Sequence, residues 1–552
     1  LQRWIFPSIV FLAVAVKLWL TSDIRIVPTF TPHDALNFVE HAKFILAGEW
    51  FGTYDVYTLI KQPSFPIYLA AVKEAGISLP LANQLLYALG CVVACIAVRP
   101  IIRNPLPLAA IFIAILFNPF TYSAYAWVAF RSQLNQSLVL LVAACAAGIL
   151  NRRKAPPPVL LSWSLGLGFS FAAFWLTREE SIWLIPCIAL VLTAQVVYSW
   201  RERRPAPALA LPAIGLLSIW FVSIEIIKTI NGLVYGWPVT AERVAGEYVS
   251  AYNALARIAA PTSERHVPIP RAARAIAYRV SPAARQLEST FEGDNGRFWT
   301  RESCRADRVC DDIGGGWMEW AFRDAVAGAG YYKSAASARQ FYVRLATELD
   351  AACDGGTIRC KAKQLTVLPF VHFDDVPAVF GTFVRGVSIV GSFSNFSVEP
   401  AADPARSYPQ LLQDDYAFVV GAIAAGDPRL TNADHEMKAA LRRVLGTVYQ
   451  RILPYWLVSA SLLAAFDAIR RVCRRSVFMP EHAILFAGTL LSAATLIGGL
   501  AILDSLLEPV ISHPEYTSSA VPLILFSLAL TTAVDGSIAH RLIRRRLTIR
   551  RV

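Results

Sequence analysis

The sequence predicts a mainly α, polytopic helical membrane protein of about ten spans, with a large extracytoplasmic domain inserted between spans seven and eight. Three observations predict it. Of 552 residues, 55% are hydrophobic and only 17% charged, and the mean hydropathy is +0.45; a water-soluble chain of this length needs more charge to cover its surface. Apolar runs recur at roughly 20 residues, the length of a helix crossing about 30 Å of hydrocarbon. The basic residues gather in short clusters between those runs, where Lys and Arg resist translocation.

In chain order the apolar segments are 4–20, 80–98, 105–120, 133–150, 158–176, 182–199, 208–228, 452–469, 483–503 and 517–535. The clusters Arg99/Arg103, Arg152–Lys154, Arg201/Arg203/Arg204, Arg470/Arg471/Arg474/Arg475 and the tail Arg541–Arg551 all fall on one side of the membrane when the N-terminus is cytoplasmic. Both termini are then cytoplasmic and the loops 21–79, 121–132, 177–181, 229–451 and 504–516 lie outside. This pattern, expected of a protein of the cytoplasmic membrane, assigns the net charge of +12 to topology and argues against nucleic-acid binding. The chain begins without Met, so it is either processed or begins late, and 4–20 reads as a retained span because no small-residue cleavage site follows it.

The reading divides the chain into a membrane domain 1–228 with the outside loop 21–79, an extracytoplasmic domain 229–451, and a membrane domain 452–552 with a basic tail. The middle segment is rich in charge, Gly and Pro and has no run long enough to span. It holds Cys304, Cys310, Cys353 and Cys360, whereas Cys91, Cys95, Cys145 and Cys187 lie in apolar runs and Cys473 in a basic loop. Four cysteines confined to the exported segment predict two disulfides. Three pairings are open, of which Cys304–Cys310 and Cys353–Cys360 close the shortest loops; irregular spacing and the lack of a nearby His disfavour zinc. Ala335–Ala352 predicts a helix burying Phe341, Leu345 and Leu349, ended at Asp354-Gly355-Gly356. Gly314-Gly315-Gly316 is no phosphate loop, since no Lys-Ser/Thr follows. No useful internal repeat is visible, nor the inverted repeat common in transporters.

Candidate chemistry collects in the outside loops. His33-Asp34-Ala35-Leu36-Asn37-Phe38-Val39-Glu40-His41 opens an amphipathic helix with Phe38, Ala42 and Ile45/Leu46 on one face. Asp34 falls in the first turn, where a helix dipole favours a carboxylate; the plainer reading makes it a helix cap. Leu46-Ala47-Gly48-Glu49-Trp50 and Lys61-Gln62-Pro63-Ser64-Phe65-Pro66 follow. An acid after the first span, a Gly-acid-Trp element and a Lys-x-Pro before the next apolar segment resemble the GT-C superfamily. These are integral membrane glycosyltransferases using polyprenyl-phosphate-linked sugars, among them aminoarabinose transferases and protein O-mannosyltransferases. Thr177-Arg178-Glu179-Glu180 looks like their Arg-x-Glu loop, and His513-Pro514-Glu515-Tyr516 resembles a late Arg-Tyr-plus-Pro element with His for Arg. The resemblance is clear over residues 1–75, weaker over 120–200 and 505–535, and does not reach 229–451.

The resemblance implies an inverting transfer in which Asp34 is the general base for the acceptor hydroxyl. Inversion needs no second, nucleophilic carboxylate. Lys61, Arg131, Arg178 and His513 become candidates for holding the donor phosphate, with Glu40, Asp55, Glu179 and Tyr516 in support. Each cation also has a structural alternative: Lys61 snorkelling at the interface, Arg178 stapled to Glu179 or Glu180, Arg131 anchoring a span end. The implied partners are a polyprenyl-phosphate-linked sugar, the bilayer, and an envelope glycan, lipid or protein acceptor. No obligatory cofactor is expected. Loop 121–132 lacks the acid with which some members bind a divalent metal, and a metal held by Asp34 with Glu40, Asp55 or Glu179 is the alternative. A large domain between spans seven and eight is a second departure from several relatives. Competing functions are a lipid or solute transporter or flippase, or a lipid-linked glycan polymerase or ligase. Lys17, Glu225 and Lys228 sit near span ends, the last two at pairing distance along one helical face.

Overall fold

The computed structural model describes residues 2–31, 33–260, 265–364, 366–367, 371–403, 408–423, 433–473 and 479–549. Arg474, Arg475, Arg550 and Arg551 of the basic clusters lie outside the described residues. The described chain is helical, and its only extended pairings are two isolated bridges, Ile26 with Ile423 and Ile258 with Cys360. Among the described residues nine α-helices lead up to the middle segment. They are α1 (Gln2–Leu20), α2 (Ala35–Leu46), α3 (Ser64–Glu74), α4 (Leu79–Val98), α5 (Pro105–Leu116), α6 (Ser132–Asn151), α7 (Pro157–Trp175), α8 (Ile185–Arg201) and α9 (Ala206–Tyr235).

Eight described helices are long and apolar enough to cross a membrane: Leu79–Val98, Ser132–Asn151, Pro157–Trp175, Ser181–Arg201, Leu209–Tyr235, Ala433–Cys473, Glu481–Leu506 and Pro514–Ser537. The shorter apolar stretch Trp4–Leu20 in α1 is a ninth element. The expected span 105–120 is corrected. The α5 helix stops after 12 residues, about 18 Å of rise, and meets Pro119–Trp127 at 46°. Asn118 turns the chain there: its side chain accepts the Phe120 N–H at 3.1 Å and donates to Gln136 at 2.8 Å. Span eight is also longer than expected, because one helix of 41 residues runs unbroken from Ala433 to Cys473.

The α6 helix is buried along nearly its whole length, with α4 and α7 packed against it. Its surroundings form one apolar core that also takes in Val390, Phe393, Tyr416 and Val420 from the middle segment. A second core lies between residues 237 and 349 and recruits Phe51 and Leu59 from the first loop. Helix Ala335–Asp354 buries Phe341, Leu345 and Leu349 in it, as its periodicity predicts.

An ion pair with no exposed side-chain surface, Arg323 to Glu242 at 2.7 Å, fastens the first loop to this core. Glu242 also accepts hydrogen bonds from Tyr332 and Tyr342. Arg323 donates to the Val56 carbonyl, and the Glu242 N–H donates to the Leu59 carbonyl at 2.7 Å.

Cys304 is bonded to Cys310 and Cys353 to Cys360. Both bridges close short loops, so losing one by a Cys304→Ser/Cys310→Ser change is expected to cost about 2 kcal/mol. Thermal unfolding of the full chain with and without reductant checks this; an unchanged midpoint would contradict it.

Candidate active site

The site grows from the start of α2. Asp34 occupies the N-cap position, but its side chain makes no capping hydrogen bond. Thr31 does that work, its hydroxyl accepting the Ala35 N–H at 3.2 Å. The capping alternative for Asp34 therefore fails, and its carboxylate turns instead to Lys61 Nζ at 2.7 Å and Arg131 Nη2 at 4.0 Å. Lys61 comes from the turn before α3 and Arg131 from the N-cap of α6. Three separate segments thus converge on one oxygen.

The cations are held from behind. Arg131 reaches Glu179 at 3.3 Å and donates to the Thr177 carbonyl at 3.2 Å. Arg178 pairs with Glu180 and with Glu515 at 3.5 Å, donates to the Glu515 carbonyl at 3.2 Å, and lies 4.7 Å from the Tyr516 ring centre. Trp320, from helix Gly315–Gly328, forms the wall on the 237–349 side. Lys61 sits 5.1 Å from its ring centre, and His33 stacks on it at 4.3 Å. The Lys61 and Arg131 side chains are 6% and 4% exposed, but that of Asp34 is 36% exposed. The acid is thus part-exposed while its cations are sealed, and the oxygen that meets them is itself buried.

Charge follows from this packing. Burial alone would raise the Asp34 carboxyl, but Lys61 and Arg131 hold it below the usual carboxylate range. Glu179 opposes burial in the same way, with Arg131, Arg243 and Lys61 holding it down at about 2. Both acids are ionised at neutral pH. Burial lowers His33 to about 4 despite the neighbouring Asp34, so its ring is neutral. Arg178, opposed by burial, is kept charged by Glu180 and Glu515.

The chain is similar to three solved structures over nearly all its length. One is ArnT from Cupriavidus metallidurans in the apo state: 13% identity, 96% of this chain and 77% of that one, TM-score 0.30. The same protein bound to undecaprenyl phosphate gives 13% identity, 98% and 79% coverage, and TM-score 0.31. An Archaeoglobus fulgidus oligosaccharyltransferase gives 11% identity and TM-score 0.33 over 94% of this chain; the match spans 56% of its own length. No protein-family description and no curated protein matches the sequence.

Of the residues singled out in sequence, Asp34, Lys61, Arg131, Arg178, Glu179 and Tyr516 gather at one end of the bundle. Three others stand apart. Asp55 accepts from Tyr57 N–H and Thr58 Oγ1 and so shapes its own turn. Glu40 lies along α2, where burial and the charges of Asp415 and Asp55 raise its carboxyl. His513 is exposed at the N-cap of the short helix Pro514–Thr517, and Glu515 and Tyr516 are the residues of that element that meet Arg178. Away from the site, Glu225 and Lys228 pair at 2.9 Å, and Lys17 is buried against Thr121 and the Tyr122 ring.

Asp34 and Glu179 both already have cationic partners. The one group of potential metal ligands among the described residues is Asp467, His482 and Asp535, at the opposite end of the bundle. Arg470 and Arg471 bind the two oxygens of Asp467, and His482 bonds Asp535 at 2.8 Å, so the cluster reads as a staple between three helices.

Sequence reasoning missed His33, Trp320, Arg243, Glu319, Glu508 and Glu515. Arg243 binds Glu319 at 2.5 Å. Glu508 lies against Gly316, where a Cβ would fall 1.8 Å from its carboxylate, and a Cβ on Gly315 would fall 2.1 Å from the Leu507 carbonyl. The triple glycine thus admits the 507–513 loop onto the start of helix Gly315–Gly328.

Burial beside the Glu319 charge pushes Glu508 up to about 7. A carboxyl raised on folding binds its proton more tightly when folded, so stability is highest below its unfolded value and falls as pH rises toward 7. From pH 4.5 to 8 this group should remove about 3 kcal/mol. Glu508→Gln is expected to flatten that part of the profile. Unfolding midpoints at pH 5 and pH 8 check it; parallel losses in both proteins would refute it.

Proposed function

We propose that the protein is an inverting glycosyltransferase that moves a sugar from a polyprenyl-phosphate carrier to an acceptor at the outer face of the cytoplasmic membrane. The observation that carries the reading is the half-open Asp34 carboxylate in front of two sealed cations, on a helical membrane bundle. A sugar phosphate entering there meets Lys61 and Arg131, which neutralise the charge that grows on the phosphate as it leaves. As they turn to the phosphate they release their hold on Asp34, so its proton affinity rises when the acceptor hydroxyl must lose its proton. Glu179 keeps Arg131 in place, and Arg178, fixed by Glu180 and Glu515, borders the same space. The resemblance of residues 1–75 to the GT-C superfamily supports this reading independently of geometry. The disulfide-bonded middle segment supports an extracytoplasmic location. A metal is not needed for any step, since Lys61 and Arg131 supply the positive charge.

The test is turnover by the purified full chain in nanodiscs given a panel of polyprenyl-phosphate-linked sugars. Release of free polyprenyl phosphate and inverted configuration in the product are expected. Retained configuration, or no donor consumed from the panel, would overturn the proposal. In the same assay Lys61→Met should lower kcat/KM by about 10²-fold while the protein still folds; unchanged kinetics would return Lys61 to a snorkelling role.

A further inference from the structure

Helix Val376–Ser392 contributes nothing to the site, yet its surface is unusual. Phe373, Val376, Phe380, Val384 and Val387 follow one another at three- or four-residue spacing and so share one face. All five are exposed, Phe380 at 64%. A helix turned to water carries polar residues on that face, and a contiguous apolar stripe marks a contact surface.

The opposite face shows what the contact is. On it, a Cβ on Gly386 would lie 2.7 Å from Ile497 of span Glu481–Leu506 and from Ile511 of the loop after that span; at the far end of the helix Gly391, four residues past Val387 and so on the side of the stripe, meets Leu457 of span Ala433–Cys473, to which its Cβ would lie 3.4 Å. Ile497 precedes the span end at Leu506 by nine residues, about 14 Å of helix, so the contact is well inside the apolar stretch. Leu457 is flanked by Tyr455 and Val458, both exposed on the side of that span that faces lipid. The stripe therefore continues a bilayer-facing surface already present on Ala433–Cys473 and Glu481–Leu506. The helix carries a single charge, Arg385, which is bound to Asp504 at 2.5 Å. Asp374 and Asp375 precede it, at its polar end.

We propose that helix Val376–Ser392 lies in the leaflet on the domain side of the membrane, its stripe among the acyl chains of the lipids. The arrangement suits an interfacial helix, with its apolar face sunk by about 5–10 Å. The middle segment then touches lipid directly. Thr382–Ser505 at 3.0 Å and Arg385–Asp504 tie this helix to the span end that leads to Glu508 and Glu515.

The test uses the full chain with Cys473→Ser, reconstituted in phosphatidylcholine/phosphatidylglycerol vesicles and nitroxide-labelled at Phe380→Cys, Val384→Cys or Val387→Cys. Collisions with oxygen should exceed those with an aqueous nickel chelate at all three positions, and the order should reverse at exposed Thr347→Cys. Greater nickel access at Phe380→Cys and Val384→Cys would place the stripe in water and overturn the proposal. Exclusion of both reagents would mean that protein covers it, and would overturn it equally. Photoactivatable lipid applied to the unsubstituted chain gives a reading free of mutations. Adducts are expected within 373–388 as well as near Tyr455; adducts near Tyr455 alone would also refute it.

Discussion

Asp34→Asn is expected to lower turnover of a polyprenyl-phosphate-linked sugar by about 10²- to 10⁴-fold, the range for losing a positioned general base. The substitution keeps shape and removes only the proton acceptor. Because Lys61 and Arg131 lose the anion between them, donor phosphate should bind no more weakly than before, so the loss belongs in kcat rather than KM. A fall in donor affinity with kcat intact would instead make Asp34 a binding residue. The pH profile offers a second reading. With Asp34 held below the ordinary carboxylate range in the free enzyme, kcat/KM should not track protonation of a normal acid as pH falls through 5. Glu508, at about 7, is the nearby acid that titrates near neutrality. A pH step near 7 that vanishes in Glu508→Gln but survives in Asp34→Asn would separate the two.

The membrane bundle was legible because spans obey a strong rule: backbone groups in hydrocarbon must bond within the helix, so apolar runs and helices coincide. The rule fails where a side chain replaces the missing backbone partner, as Asn118 does at the end of α5, and there 105–120 proves to be a bent pair. Asp34, Lys61, Arg131 and Arg178 were legible as charged residues of the outside loops, and the roles of Asp34, Lys61 and Arg178 only through the resemblance of their motifs to the GT-C superfamily. His513 was not separable from Glu515 and Tyr516 by sequence, since a short helical turn decides which of them meets Arg178. The other wall of the site was invisible for a different reason. Trp320 and Arg243 lie far along the chain, and nothing local announces that Gly314-Gly315-Gly316 lets a distant loop bring these parts together. The stripe on Val376–Ser392 was hidden too, because 17 residues with one Arg fall short of any span threshold.

Arg323→Ala should be the most destabilising single change in the middle segment, at about 3–5 kcal/mol. Neither Arg323 nor Glu242 exposes any side-chain surface, so removing the cation leaves a carboxylate without its charge partner in a dry interior. Tyr332 and Tyr342 still donate to it, but hydroxyl dipoles do not replace a guanidinium. A fall of about 10 °C in the apparent unfolding midpoint is expected, read by tryptophan fluorescence in detergent. Arg323→Met/Glu242→Leu removes both charges and should recover much of the loss, as buried pairs often tolerate replacement by apolar residues of similar volume. If the double variant is no better than the single one, the tyrosine hydroxyls and the Val56 contact matter more than charge. The change should also reach the site. Trp320 is three residues before Arg323 on the same helix, and it is the ring on which His33 and Lys61 rest. Loss of Arg323 frees Val56 and the rest of the first loop to drift from that ring. Turnover should therefore fall in Arg323→Ala even at temperatures where the protein remains folded, with Asp34 untouched. Full activity in the folded variant would show that the loop is held by its apolar contacts at Phe51 and Leu59, and that the ion pair serves stability alone.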